Sequence, residues 1–303
     1  VASSLPPYPA LDELEARLHQ LSDRVERYGT SVQGRPLWAA RLPGEGPHVV
    51  VTAGLHGPEW IGTLVAMEVL SLGPLPGARL SVLPVLNPDG AAATDAAGGR
   101  GPLHRLRPNA RGVDLNRNFP LPWGARPSRL PFAGSSTAGS ATYRGSAPLS
   151  EPETAALADW LLDDPPQASV NLHSFMGTLI PARVWHRDDW RHYGRLTAAF
   201  RRAQGGLGYP RLATPVLDVF TGELEDWQHH VLRCWAVCVE CFSLAASVRQ
   251  HVRAPSTFWR FNPHDPQPVV QRDAPAVRAM LREALALPRP PERPGASQAL
   301  PGW

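Results

Sequence analysis

Several short runs in this chain are apolar along most of their length: "PHVVVTAG", "ARLSVLPVLNP", "ASVNLHS" and "WAVCVECFSL". A strand with one wet face alternates apolar and polar residues, whereas a strand covered on both faces does not. Between these runs lie segments of helical period. "PALDELEARLHQLSDRVERYG" repeats Leu11, Leu14, Leu18 and Leu21, and "EWIGTLVAMEVLSLG" has Gly73 just past its end. "SEPETAALADWLLDDPP" offers Ser150 as a cap with Glu153 at the capping-box position, and "DDWRHYGRLTAAFRRAQG" reads as a further helix. "PLWAARLPG" adds a short strand. This order predicts an α/β fold, with one mixed, largely parallel sheet and helices on both faces. Ligands in such sheets bind beyond the carboxyl ends of the strands. The stretch from about Asn87 to Ser150 is rich in Gly, Pro, Arg and Asn, and a loop that long inside a compact domain is usually functional.

The 303 residues suit one large domain, predicted over 1–285, with a loose, Pro-rich C-terminal tail over 286–303. With 43% apolar and 19% charged residues the chain can bury a sizeable core and is not disordered. The net charge of +3 is spread without a basic run, so no nucleic-acid partner is expected. The basic surplus is arginine, which suits anionic ligands; a GC-rich coding sequence accounts for it equally well. No apolar stretch approaches the ~20 residues that span a bilayer, so no membrane partner is expected. The opening "VASSLPPYPALDELEARL" has neither a charged n-region nor an h-region. The expectation is a cytoplasmic protein, or a periplasmic or secreted one if a signal peptide preceded Val1. Cys234, Cys238 and Cys241 crowd one strand-like segment, which reads as small residues packed in a strand rather than a disulfide framework or a metal site.

In "GLHGPEW", His56 and Glu59 lie where a strand turns into a helix, on the site-forming edge. His-x-x-Glu alone is weak in a chain with 11 histidines. A second strand, "SVNLHS", also ends in a histidine, His173. Each residue taken singly fits a structural role, a capped helix start or a hydrogen-bonded histidine. Together His56, Glu59 and His173 form a His₂Glu set that leaves a fourth coordination position open, as catalytic zinc sites do.

The blocks "GLHGPEW", "VLNPDG", "RPNARGVDLNRNFP", "YRGSAPLSEPET", "VNLHS" and "GELEDW…VCVE", in that order, resemble the zinc carboxypeptidase family of the pancreatic carboxypeptidases A and B. "YGTSVQGRPL" looks like the start of that domain, and the resemblance covers roughly residues 8–250. It implies a single α/β domain around a mixed eight-stranded sheet, one Zn²⁺ per chain, and a small peptide substrate with a free carboxylate. Glu240, thirteen residues after Trp227, matches the catalytic glutamate, the general base of the reaction. A lone carboxylate in an apolar strand is costly unless it faces a cavity or a partner, so a buried ion pair is the alternative. Arg107 matches the arginine that steadies the tetrahedral oxyanion. Asn116 and Arg117 match the pair that grips the substrate's terminal carboxylate.

Glu225, two residues before Trp227, matches the floor of the side-chain pocket, which is acidic in the members that prefer Lys or Arg. The implied preference is for an amino or guanidino group. Glu225 pairing with an arginine of the chain, or Glu223 taking its place, remains open. The substrate-covering tyrosine of the digestive members, nine residues before the Trp, is replaced by Asp218, and Tyr209 nearby is no assured substitute. The short "RPNARGVDLNRNFP" linker is closer to bacterial murein-peptide amidases, which cleave a γ-D-glutamyl–diaminopimelate bond. The rival reading is an N-acyl amino acid deacylase of the succinylglutamate desuccinylase or aspartoacylase type, which shares HxxE, a later His and a DLNR-like block. "SEPET" and "EDW…VCVE" favour the peptidase. The complete ligand set with Glu240 argues against a binding module that has lost activity.

Overall fold

The computed structural model describes residues 3–121, 130, 133–206, 208–214, 220–253 and 256–292. Seven strands form one sheet: β1 (Val25–Thr30), β2 (Pro36–Leu42), β3 (His48–Ala53), β4 (Arg79–Leu83), β5 (Ala168–Ser174), β6 (Thr178–Pro181) and β7 (Trp235–Cys241). Their spatial order is β1-β2-β4-β3-β5-β7-β6. The central strands β4, β3, β5 and β7 are parallel, while β1, β2 and β6 pair antiparallel. Every residue of β3 and β5 is buried, which is why those segments show no alternation.

The helices are α1 (Leu11–Leu21), α2 (Trp60–Ser71), α3 (Pro88–Ala96), α4 (Leu103–Leu106), α5 (Pro152–Asp163), α6 (Arg187–Gln204), α7 (Leu224–Leu232), α8 (Leu244–Arg253), α9 (Thr257–Phe261) and α10 (Gln267–Leu285). They cover both faces of the sheet. Val49, Val51, Val237 and Val239 face one core, shared with Ile61 of α2, Phe200 of α6 and Val277 of α10. Val50 and Ala236, on the opposite pleat, face a second core with Leu157 and Leu161 of α5 and Trp227 of α7. No helix among the described residues is long and apolar enough to cross a membrane.

The structure corrects several sequence expectations. Seven strands, not eight, form among the described residues. Beyond β6, among the described residues, the ladder continues only as one parallel bridge, Leu179 to Arg211. Its two hydrogen bonds run from Leu179 N–H to Pro210 O and from Leu212 N–H to Leu179 O, both 2.8 Å. Pro181 closes β6 and Pro210 has no N–H, so this edge does not lengthen. The first helix stops at Leu21, where the leucine repeat ends. Val25–Thr30, rich in β-branched and aromatic residues, pairs with β2 instead. Helix α5 starts at Pro152 with Glu151 in the N-cap position, so the Ser150–Glu153 capping box does not form. Glu153 is drawn instead to the Val32 N–H and the Asn109 amide. The stretch from Asn87 to Ser150 contains α3 and α4. The described part of the tail is tied down rather than loose: Trp235 Nε1 donates to Pro288 O and Arg233 Nε to Pro290 O, each at 2.8 Å. Residues 293–303 lie outside the described residues. All three cysteines are free and buried.

Candidate active site

Strand β3 delivers its chain to the carboxyl edge of the sheet, and the loop that follows carries His56. Gly57 lets that loop touch its neighbour. A Cβ there would sit 2.2 Å from Leu106 O and 2.5 Å from Gly90 O, and the Gly57 N–H donates to Arg107 O at 3.2 Å. Close backbone contact thereby sets the segment bearing Arg107 beside His56. Glu59 stands at the N-cap position of α2, yet its side chain does not cap the helix. It turns inward, with Oε1 2.8 Å from His56 Nδ1 and Oε2 3.0 Å from His173 Nδ1. Oε2 also accepts the Ser174 N–H at 3.2 Å. His173, at the end of β5, has its Nδ1 3.2 Å from His56 Nδ1. The ligand atoms of these three buried residues all lie within 4.8 Å of one another.

Asp114 fixes which nitrogen of His56 faces the cluster. Its Oδ1 is 3.0 Å from His56 Nε2, and its Oδ2 accepts from Arg107 Nε at 2.9 Å. Burial pushes the Asp114 carboxyl up, but the Arg107 guanidinium and His56 outweigh it and hold it well below the usual carboxylate range. An ionised carboxylate only accepts, so Nε2 carries the proton and Nδ1 is left for Glu59 and His173. Burial likewise opposes ionisation of Glu59, and His56 and His173 outweigh it. Two imidazole nitrogens and a carboxylate converging in a buried space require positive charge between them. A metal ion supplies it, and two nitrogens with one oxygen is a donor set zinc accepts. The residues fit the ion.

His56 and His173 open onto a pocket of about 320 Å³, which Arg107, Asn116, Arg117 and Glu240 also line. Glu240 on β7 stands opposite His173 of β5 in the parallel ladder. Burial and the charge of Glu59 push its carboxyl up to about 7, against the pull of His173 and Arg107. Arg107 reaches Glu59 Oε1 at 3.4 Å as well as Asp114. Asn116 and Arg117 lie in a short 3-10 turn, Leu115–Arg117, capped by Asp114, which accepts the Asn116 N–H at 3.0 Å. Asn116 Oδ1 accepts the Leu224 N–H at 2.9 Å. The Arg117 guanidinium lies 4.8 Å over the Phe220 ring and 3.4 Å from Glu223 Oε1.

The structure therefore brings seven of the eight expected residues to one place. Glu225 is the exception. The pocket lining includes Glu223, while Glu225 is buried in the first turn of α7 and is not among the lining residues. Burial and then the Glu225 carboxylate push the thiol of Cys238, which does line the pocket, well above its ordinary value. Helical phase separates the two glutamates. Glu223 is the N-cap of α7 and Glu225 lies inside the helix, so the two side chains leave in different directions. Tyr209 does not cover the pocket: it is buried, bonded to Asp273 Oδ2 and to the Phe242 N–H. Asp218 lies outside the described residues. Two residues of the site carry no signal that spacing alone would single out: Asp114, although it stands inside "GVDLNRNF" two residues before Asn116, and Phe261, a wall residue from a segment without a motif.

Comparison with known proteins agrees with this geometry. The zinc carboxypeptidase family model matches residues 8–71 and 75–242. Metallocarboxypeptidase A of Trichophyton rubrum is 32% identical over 236 residues, 71% of this chain and 49% of that protein. Carboxypeptidase A from Helicoverpa armigera has a similar structure, with a TM-score of 0.73 at 21% identity over 92% of this chain and 74% of that one. Murein-tripeptide amidase MpaA from Escherichia coli O157 gives 0.55 at 24% identity, over 85% of this chain and 91% of that one. At these identities the structural likeness speaks to the fold. The chain spans about half or less of the length of the first curated relatives it matches.

Proposed function

This chain belongs to the zinc carboxypeptidase family, and from that premise we propose that it hydrolyses the C-terminal or a near-terminal amide bond of a small peptide bearing a free carboxylate. The observation that carries the reading is the placement of Glu240 on the same rung of the ladder as His173, in a pocket that also holds Arg107 and Arg117. Bound by His56, Glu59 and His173, zinc would supply a Lewis acid for the scissile carbonyl and acidify a water. Glu240 takes a proton from the attacking water and passes it to the leaving nitrogen, work suited to a carboxyl raised toward neutrality. Arg107, held by Asp114, presents positive charge where the oxyanion develops. Arg117, steadied by Asn116 O at 2.6 Å, offers its guanidinium to the substrate carboxylate.

The same reading extends to specificity. Glu223 in the wall and Glu225, whose charge acts on Cys238 of the lining, support an acidic end to the pocket. This supports a preference for an amino or guanidino group: C-terminal Lys or Arg, or the amine-bearing end of diaminopimelate. The likeness to a murein-tripeptide amidase supports including murein peptides among the substrates tested. The deacylase alternative is not favoured, because the matched family is that of the carboxypeptidases.

The test is a mass-spectrometric screen of short peptides, murein peptides included, each with a free and an amidated C-terminus. Cleavage of the free forms alone is expected. Equal cleavage of both forms would overturn the reading.

A further inference from the structure

The N-terminus of α2 poses a problem that the metal site creates. A helix begins with N–H groups that have no intrahelical partner, and the N-cap side chain normally accepts one of them. Here the N-cap residue is Glu59, and its carboxylate is committed to His56, His173 and the Ser174 N–H. The vacant task falls to a residue about two hundred positions further on. Asn262 Oδ1 accepts the N–H of Ile61, the second residue of α2, at 2.8 Å. Its Nδ2 donates to Pro58 O at 2.6 Å and to Phe258 O at 2.8 Å. Asn262 is fully buried, and the three bonds fix its amide with the oxygen toward Ile61 and the nitrogen toward Pro58. One side chain thus clamps the residues on either side of Glu59.

We propose that Asn262 is a positioning residue for the metal site, a helix cap supplied from elsewhere in the chain that leaves the Glu59 carboxylate free to act as a ligand. The proposal rests on the reading of His56, Glu59 and His173 as zinc ligands. Asn262 follows α9, beyond residue 242 where the family match ends. That segment is built into the body. The Phe258 N–H and Ser256 Oγ both donate to Gly99 O at 3.0 Å, and Gln250 Nε2 donates to Asn262 O at 2.6 Å. Its neighbour Phe261 lines the pocket and meets Phe175 edge to face at 4.9 Å. The segment after the matched domain therefore both walls the site and holds a ligand-bearing loop.

The experiment uses the full chain and two measurements. Zinc affinity, by competition with a chelator, should weaken about 10–100-fold in Asn262→Ala, the usual scale for a lost support of a ligand. In the metal-free chain, Glu59→Ser supplies α2 with a cap of its own. The fall in thermal midpoint caused by Asn262→Ala should then be less than half as large in the Glu59→Ser background as in the wild type. Should Asn262→Ala alone fail to fold, the Glu59→Ser, Asn262→Ala pair should fold. Zinc affinity within twofold of wild type, additive falls in midpoint, or a double variant that stays unfolded would each overturn the proposal. A wild-type chain that takes up no zinc would overturn the ligand reading beneath it, which is a distinguishable result.

Discussion

Glu240 stands directly beside His173, on the neighbouring parallel strand and in register with it. Adjacent strands lie about 4.8 Å apart, and opposed residues in a ladder point to the same face. A carboxylate and a candidate metal ligand are thus held at a spacing set by backbone hydrogen bonds, not by flexible side chains.

Glu240→Gln should keep the fold and the zinc while losing turnover. Proton transfer alone is worth about 10²–10⁴ in rate, so kcat on a cleaved peptide should fall by at least that much, with zinc content unchanged by elemental analysis. A variant within tenfold of wild type would assign the base elsewhere.

The raised carboxyl of Glu240 also has a signature in stability. A carboxyl whose folded pKa lies above its unfolded value is at no disadvantage in acid. It begins to cost stability as pH rises past the unfolded value of about 4.3, and costs most above the folded value, here about 7. In the metal-free chain, Glu240→Gln should therefore match wild type in thermal midpoint at pH 4 and exceed it at pH 8. A difference independent of pH would contradict the raised value.

His56→Ala and His173→Ala should each lose stoichiometric zinc together with activity. Asp114→Ala should retain zinc with affinity reduced about 10–100-fold, because it orients His56 without being a ligand. Full zinc occupancy in both histidine variants, measured after dialysis, would refute the ligand set.

Arg117→Ala should raise KM for peptides with a free carboxylate and leave kcat largely intact. Arg107→Ala should lower kcat, since its charge is needed most in the transition state. The same KM-only defect in both would show that their roles are not divided in this way.

Glu223→Gln should shift the ratio of kcat/KM for peptides ending in Lys or Arg over Leu or Phe more than Glu225→Gln does, because Glu223 is the one in the wall. A larger effect from Glu225→Gln would assign the preference to Glu225.

Much of the site was legible because its residues sit where topology places sites. His56 and His173 end apolar runs, and Glu240 is a charge inside one. What was not legible depends on geometry that spacing does not carry. Glu223 and Glu225 differ by helical phase, which is set by where α7 starts. Val25–Thr30 follows a leucine repeat and reads as its continuation until β2 pairs with it. Ser150 looks like a cap, but Pro152 and the pull of Asn109 and Val32 on Glu153 move the helix start. Asn262 acts through contacts about two hundred residues distant, with no local pattern to mark it.

The strand order has a bearing on time. β3, β5 and β7 are neighbours in the sheet, yet they end at Ala53, Ser174 and Cys241, and the Asn262 clamp comes later still. Parallel neighbours need long crossovers, and such distant pairings close late in folding. His56 and Glu59 precede His173 and Glu240 by more than a hundred residues. The candidate ligand set and the carboxylate beside it are therefore assembled only by long-range pairings, and a chain that stops short of β7 lacks Glu240.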